Sequence, residues 1–432
     1  MSQYQTRLDE KSFLKQVPTW PANSIVLLLI FTVIFPPGFL TGMNTYLLLL
    51  SLIVWIGGRK KFPQNLFSAI FPFGLIILIG LASGAGAERY LYLKDVWYVA
   101  NPAIIMSVGY VFYLCMPDIM RGMRAFVIGG TLLSLYYLSS FAFHPELLIS
   151  TSTKIRQNAG TGYYASVLAF SILCTYYGRW NKELNLPRWL AYLSFIICST
   201  AIIACFSRTM LVIAVIGLLA ATGIFGRKDW LWIGALIGLA LLLILSLNLL
   251  ISKDSTQSER TFIGKLVRSL DEINIEDYSD FRSINLNWRG YETARAIHYV
   301  ESGSPYRWIV GQGFGAQVDL GINMKLGGAE PTRFIPVFHN GYIYLLVKGG
   351  IIAVFLYSYV LVWFYLIGRR VVIKVTDRIQ SAPARLLQAC TFTLAITTWL
   401  ISGSFNKGDM FPYLLASGFL LAAISNNKEK FK

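Results

Sequence analysis

The sequence predicts an all-α polytopic membrane protein of about 12 transmembrane helices, with one large outer loop containing short helices. Composition is the first reason. The 432 residues are 55% hydrophobic and 14% charged, with mean hydropathy +0.55, whereas soluble domains carry about 45–50% apolar and about 25% charged residues. Run length is the second. Apolar segments recur near the roughly 20 residues that cross a bilayer, at 24–40, 44–57, 65–82, 98–116, 123–143, 163–177, 189–206, 209–225, 230–251, 340–367, 386–402 and 410–425. Runs this long are helices rather than barrel strands, because backbone groups in hydrocarbon must be satisfied within the segment. Charge asymmetry is the third. With a cytoplasmic N-terminus, 21 Lys and Arg fall in cytoplasmic segments and six in the short outer loops, as the positive-inside rule requires. Both termini are therefore expected in the cytoplasm.

Three units follow: spans one to nine over 1–251, a polar stretch over 252–338, and spans ten to twelve over 339–432. Parity places 252–338 outside, and its ten Lys and Arg do not count against this, because long loops cross regardless of charge. Phe262, Ile263, Leu266, Val267, Leu270 and Ile273 recur at helical spacing and predict an amphipathic helix resting on the membrane-facing surface. A second helix is expected over about 287–301, and Gly311-Gln312-Gly313-Phe314-Gly315 reads as a turn without the strand–helix frame of a dinucleotide site.

The net charge of +16 suits anionic head groups or a phosphate-bearing substrate. Cys115, Cys174, Cys198, Cys205 and Cys390 all lie in apolar runs, without the spacing of a zinc site or a disulfide framework. No Walker loop, H-E-x-x-H, G-x-S-x-G or carboxylate cluster is present in the pattern, so neither cofactor nor metal is expected. Nothing in the pattern calls for nucleic acid.

Four residues stand out. His339 lies at the outer mouth of span ten and can take a proton near neutral pH; equally, an interfacial histidine there can bond a neighbouring carbonyl. Arg208, in Ser207-Arg208-Thr209, interrupts an apolar stretch and either faces the bundle interior or snorkels to head groups. Arg289 opens the predicted helix at 287–301 and either forks onto phosphate oxygens or pairs with Glu292 at i,i+3. Arg156 precedes span six, where it lines the outer cavity or is a solvated loop charge.

Together these features resemble the bacterial O-antigen ligase family and the related O-antigen polymerases. The resemblance is strongest over about 150–365. It rests on Ser207-Arg208-Thr209, the Gly311–Gly315 turn, His339-Asn340-Gly341-Tyr342 and Lys348-Gly349-Gly350-Ile351-Ile352. It implies a GT-C-type glycosyltransferase of the bacterial inner membrane, with its active site facing the periplasm. The implied reaction moves polysaccharide from an undecaprenyl-diphosphate donor to a sugar hydroxyl of lipid A–core. In that frame His339 matches the essential histidine, and Arg208 and Arg289 match diphosphate-binding arginines. Arg156, Asn340 and Tyr342 are further substrate-contacting candidates. Gly160-Thr161-Gly162 replaces the Asn-Pro-Asn often found after the Arg156 block. Polymerases of this kind tend to have two sizeable outer loops, which favours the ligase. A transporter or flippase predicts ionisable residues deep inside spans, and the sequence reading places charges at span ends.

Overall fold

The computed structural model describes residues 20–34, 64–84, 87–149, 155, 158–159, 163–205, 207–226, 284, 287–324, 331–405 and 408–426. Its long helices are α1 (Trp20–Ile34), α2 (Gln64–Ser83), α3 (Arg89–Cys115), α4 (Ile119–Phe143), α5 (Tyr164–Thr175), α6 (Arg188–Ala204) and α7 (Arg208–Thr222). The loop contributes α8 (Trp288–Glu301), the single turn α9 (Arg307–Val310), and a hairpin of β1 (Val318–Met324) and β2 (Thr332–Ile335). Then come α10 (Gly341–Lys374), α11 (Ala382–Ile401) and α12 (Phe411–Asn426). Ten of the twelve predicted spans coincide with these helices, and five of those helices are long and apolar enough to cross a membrane by themselves. The predicted spans at 44–57 and 230–251, and the amphipathic helix at 262–273, lie outside the described residues.

Small residues let the bundle close. A Cβ on Gly109 would stand 2.0 Å from the Leu415 carbonyl oxygen, and one on Gly418 would stand 1.9 Å from that of Met106. α3 and α12 therefore touch backbone to backbone, the usual device where lipid supplies no hydrophobic force between helices. Tyr113 and Phe126 set their rings edge-on to Phe419 beside this contact.

The loop departs from the expectation in its hairpin. No strand was expected, yet β1 and β2 pair antiparallel, with Val318 opposite Ile335 and Asp319 opposite Phe334. Alternation explains it: Val318, Leu320 and Ile335 are buried while Phe334 is exposed, the half-buried period of two of a strand. The Gly311–Gly315 stretch is a turn, as expected, and it lies inside the bundle. Gly311, Gly313 and Gly315 all have positive φ (77°, 93° and 81°), and added Cβ atoms would collide with Gly349, Gly84 and Ala87 respectively. Glycine is the residue that tolerates both demands. Phe314 is fully buried against Gly80 and sets its ring edge-on to Tyr92.

α10 breaks where this turn enters. Gly350 is non-helical (φ 68°, ψ −169°), and the backbone of Ile309 lies against it. Beside the break, the Val347 carbonyl accepts from the Gln312 N–H at 2.7 Å, so the buried backbone group keeps a partner. The kink has an identifiable cause, a glycine pair admitting another backbone.

Candidate active site

α10 begins with a side-chain cap. Asn340 is extended, and its Oδ1 accepts from the N–H groups of Tyr342 and Ile343 at 3.0 and 3.3 Å. This satisfies two of the free donors of the helix start. His339, immediately before the cap, thereby has its position set by the helix. Its carbonyl accepts from Ser402 N–H, and the preceding Phe338 carbonyl accepts from the Ser402 hydroxyl. Ser402 closes α11 in the left-handed region at φ 65°, a conformation uncommon outside glycine, and it is buried.

The third support is Glu292. Its Oε2 accepts from the His339 backbone N–H at 2.9 Å and lies 3.0 Å from His339 Nδ1. The Glu292 side chain is 5% exposed and the His339 side chain 42% exposed. A carboxylate at Nδ1 favours the tautomer with its proton there and leaves the Nε2 lone pair available. Glu292 lies on α8, one turn after Arg289. From the sequence Glu292 offers only an intrahelical partner for Arg289; its contact with His339 arises where α8 docks against the start of α10. The available signal was a carboxylate on the same predicted loop helix as a singled-out arginine.

α8 is itself fixed by the hairpin. Tyr291 donates its hydroxyl to the Leu320 carbonyl, and Arg295 Nε donates to the Asp319 carbonyl at 3.0 Å. On the hairpin, Arg333 and Asp319 form a two-pronged pair, both contacts at 2.7 Å. The Arg333 guanidinium holds the Asp319 carboxyl down at about 2, helped by the Gly321 N–H.

The structure thus brings His339, Asn340 and the helix of Arg289 together. Arg289 is half-buried at the start of α8. Arg208 is half-buried and is the first residue of α7, whose preceding Ser207 makes no side-chain cap. Tyr342 directs its hydroxyl to the Ala395 carbonyl of α11 at 3.3 Å and packs near Tyr357. Arg156 lies outside the described residues.

One expectation is corrected: ionisable groups do lie inside the bundle. Asp95 on α3 and Lys348 on α10 form a pair at 2.6 Å with side chains 1% and 0% exposed. From the sequence, span four starts at residue 98, which leaves Asp95 outside it, and Lys348 enters only as part of the Lys348–Ile352 motif within span ten.

No curated protein matches the chain. Residues 193–358 match the family model described as O-antigen ligase, the family whose members are membrane glycosyltransferase-like ligases and polymerases. The resemblance read from the sequence holds over this stretch, which runs from within α6 to within α10 and carries Arg208, Arg289, Glu292 and His339.

Proposed function

We propose that the protein is an O-antigen ligase: an inverting, metal-independent transferase that moves polysaccharide from undecaprenyl diphosphate to a sugar hydroxyl of lipid A–core. The observation that carries the reading is the Glu292–His339 contact. A partly exposed imidazole whose Nδ1 is occupied by a buried carboxylate is arranged to accept a proton at Nε2. In the reaction, Nε2 takes the proton of the acceptor hydroxyl while that oxygen attacks the anomeric carbon. The bond from the anomeric carbon to the diphosphate oxygen breaks, and undecaprenyl diphosphate leaves with the electron pair. A single displacement of this kind inverts the anomeric centre.

The leaving group gains negative charge as this bond breaks. Arg289, at the head of α8, and Arg208, at the uncapped head of α7, supply guanidinium forks and backbone N–H donors suited to a diphosphate. Glu292 holds the imidazole in orientation and stabilises the imidazolium that forms. The undecaprenyl tail lies among the spans, in the bacterial inner membrane, and the loop faces the periplasm.

Transfer of lipid-linked glycan to purified lipid A–core by the purified protein tests this reading. Product attached to lipid A–core supports it. Extension of the lipid-linked glycan in place of that product identifies a polymerase, the second reading within the same family.

A further inference from the structure

Asp95 and Lys348 take no part in the chemistry above, yet they are the two most deeply enclosed charges in mutual contact among the described residues. Their partners show what they hold. Asp95 Oδ2 accepts from Lys348 Nζ at 2.6 Å and from the Gly315 N–H at 2.7 Å, and Oδ1 accepts from the Tyr344 hydroxyl at 2.8 Å. Lys348 Nζ also donates to the Ala316 carbonyl at 2.5 Å. The pair therefore joins three pieces of chain: α3, α10 and the turn that dips into the bundle. It grips the turn through backbone atoms, while the three glycines let the turn approach.

That turn continues directly into the parts that hold α8. Gln312 Nε2 donates to the Tyr299 carbonyl at 3.4 Å, and β1, beginning at Val318, accepts from Tyr291 and Arg295. α8 and α10 are consequently tied at two levels, through Glu292 to His339 and through the turn to Lys348. Stability alone is a poor reason for a buried ion pair, because apolar replacements of similar volume are often neutral or stabilising. What such a pair supplies that apolar side chains do not is a fixed place for the Gly315 N–H and the Ala316 carbonyl.

We propose that the Asp95–Lys348 pair is a positioning device for the reaction: by clamping the Gly315–Ala316 backbone it sets where α8 stands and hence the contact of Glu292 with His339. The inference rests on the reading of Glu292 and His339 as the reacting pair.

The test uses the full chain carrying His144→Gln and His298→Gln, which leaves His339 as its one histidine. Both replaced histidines are exposed and lie outside the proposed machinery. The first readout needs no substrate: the rate at which diethyl pyrocarbonate modifies His339. Asp95→Asn and the apolar double variant Asp95→Leu/Lys348→Met are expected to change this rate in the same direction as Glu292→Gln. Adding Asp95→Asn to Glu292→Gln is expected to change it no further, the signature of residues acting through one contact. The second readout is transfer, where kcat should fall on the order of 10²-fold with donor KM little changed, as for misplacement of a reacting group. The double variant leaves no uncompensated buried charge, so it serves if Asp95→Asn does not fold. A folded double variant with the unaltered modification rate overturns the proposal, as do rate changes that add to those of Glu292→Gln. If the unsubstituted protein transfers no glycan to lipid A–core, the proposed reaction fails while the modification rates still decide the role of the pair.

Discussion

Glu292 bonds His339 twice through one oxygen, meeting both its backbone N–H and its Nδ1. The two residues belong to different elements, the loop helix α8 and the lead-in to α10. Orientation of the imidazole thus depends on the loop being docked, and the kinetic consequences of each residue can be separated.

His339→Ala is expected to reduce transfer to about 1% or less, since general-base help is worth about 10²–10⁴-fold. Donor binding should persist, because arginines and helices hold the diphosphate. His339→Gln keeps a hydrogen-bonding side chain without a useful base, and its kcat should be equally low. Glu292→Gln should retain more activity than His339→Ala. Combined with His339→Ala it should cost nothing further, because the two residues act as a unit. A His339→Gln variant with unaltered kcat would assign the histidine to positioning alone.

Arg208→Lys and Arg289→Lys keep charge and lose the planar fork. Each is expected to cost transfer on the order of 10-fold or more, within the range of charge-assisted hydrogen bonds to an ionised partner. Activity of the purified protein should survive EDTA. Loss that magnesium or manganese restores would show that a metal shares the diphosphate.

A cysteine placed at Ser279 should react with an impermeant maleimide in intact spheroplasts, as the Lys and Arg asymmetry requires for the 252–338 loop. Labelling seen only after lysis would reverse the topology.

The hairpin pair predicts a flat response to pH in the working range. Arg333 lowers the Asp319 carboxyl to about 2. The stabilisation it contributes is therefore fully present above the ordinary carboxylate range and is lost only as pH falls toward 2. Asp319→Asn should leave the shape of the pH–rate profile between about 5 and 8 unchanged, so that this profile reports the site itself. Because the pair is exposed, Tm should fall only slightly.

Composition and run length sufficed for the membrane class and for ten helices, because a bilayer imposes length and apolarity locally, residue by residue. The position of His339 before an Asn-capped helix was equally legible, since a cap is a short-range device. The loop helix α8 was expected over about 287–301, and Arg289 stands in its first turn. What escaped was each polar contact between elements distant in the chain. Glu292 reads as a helix-surface carboxylate until α8 is set against α10. Asp95 reads as a charge at a span end until α3 is extended to Arg89 and packed on Lys348. The Gly311–Gly315 turn has the same residues whether it lies on the surface or inside the bundle; only the kink at Gly350 and the close backbones of Gly84 and Gly349 put it inside. Periodicity records how much apolar surface a segment must bury, whereas the partner of a buried charge is settled by which backbones can approach closely enough to bring it there.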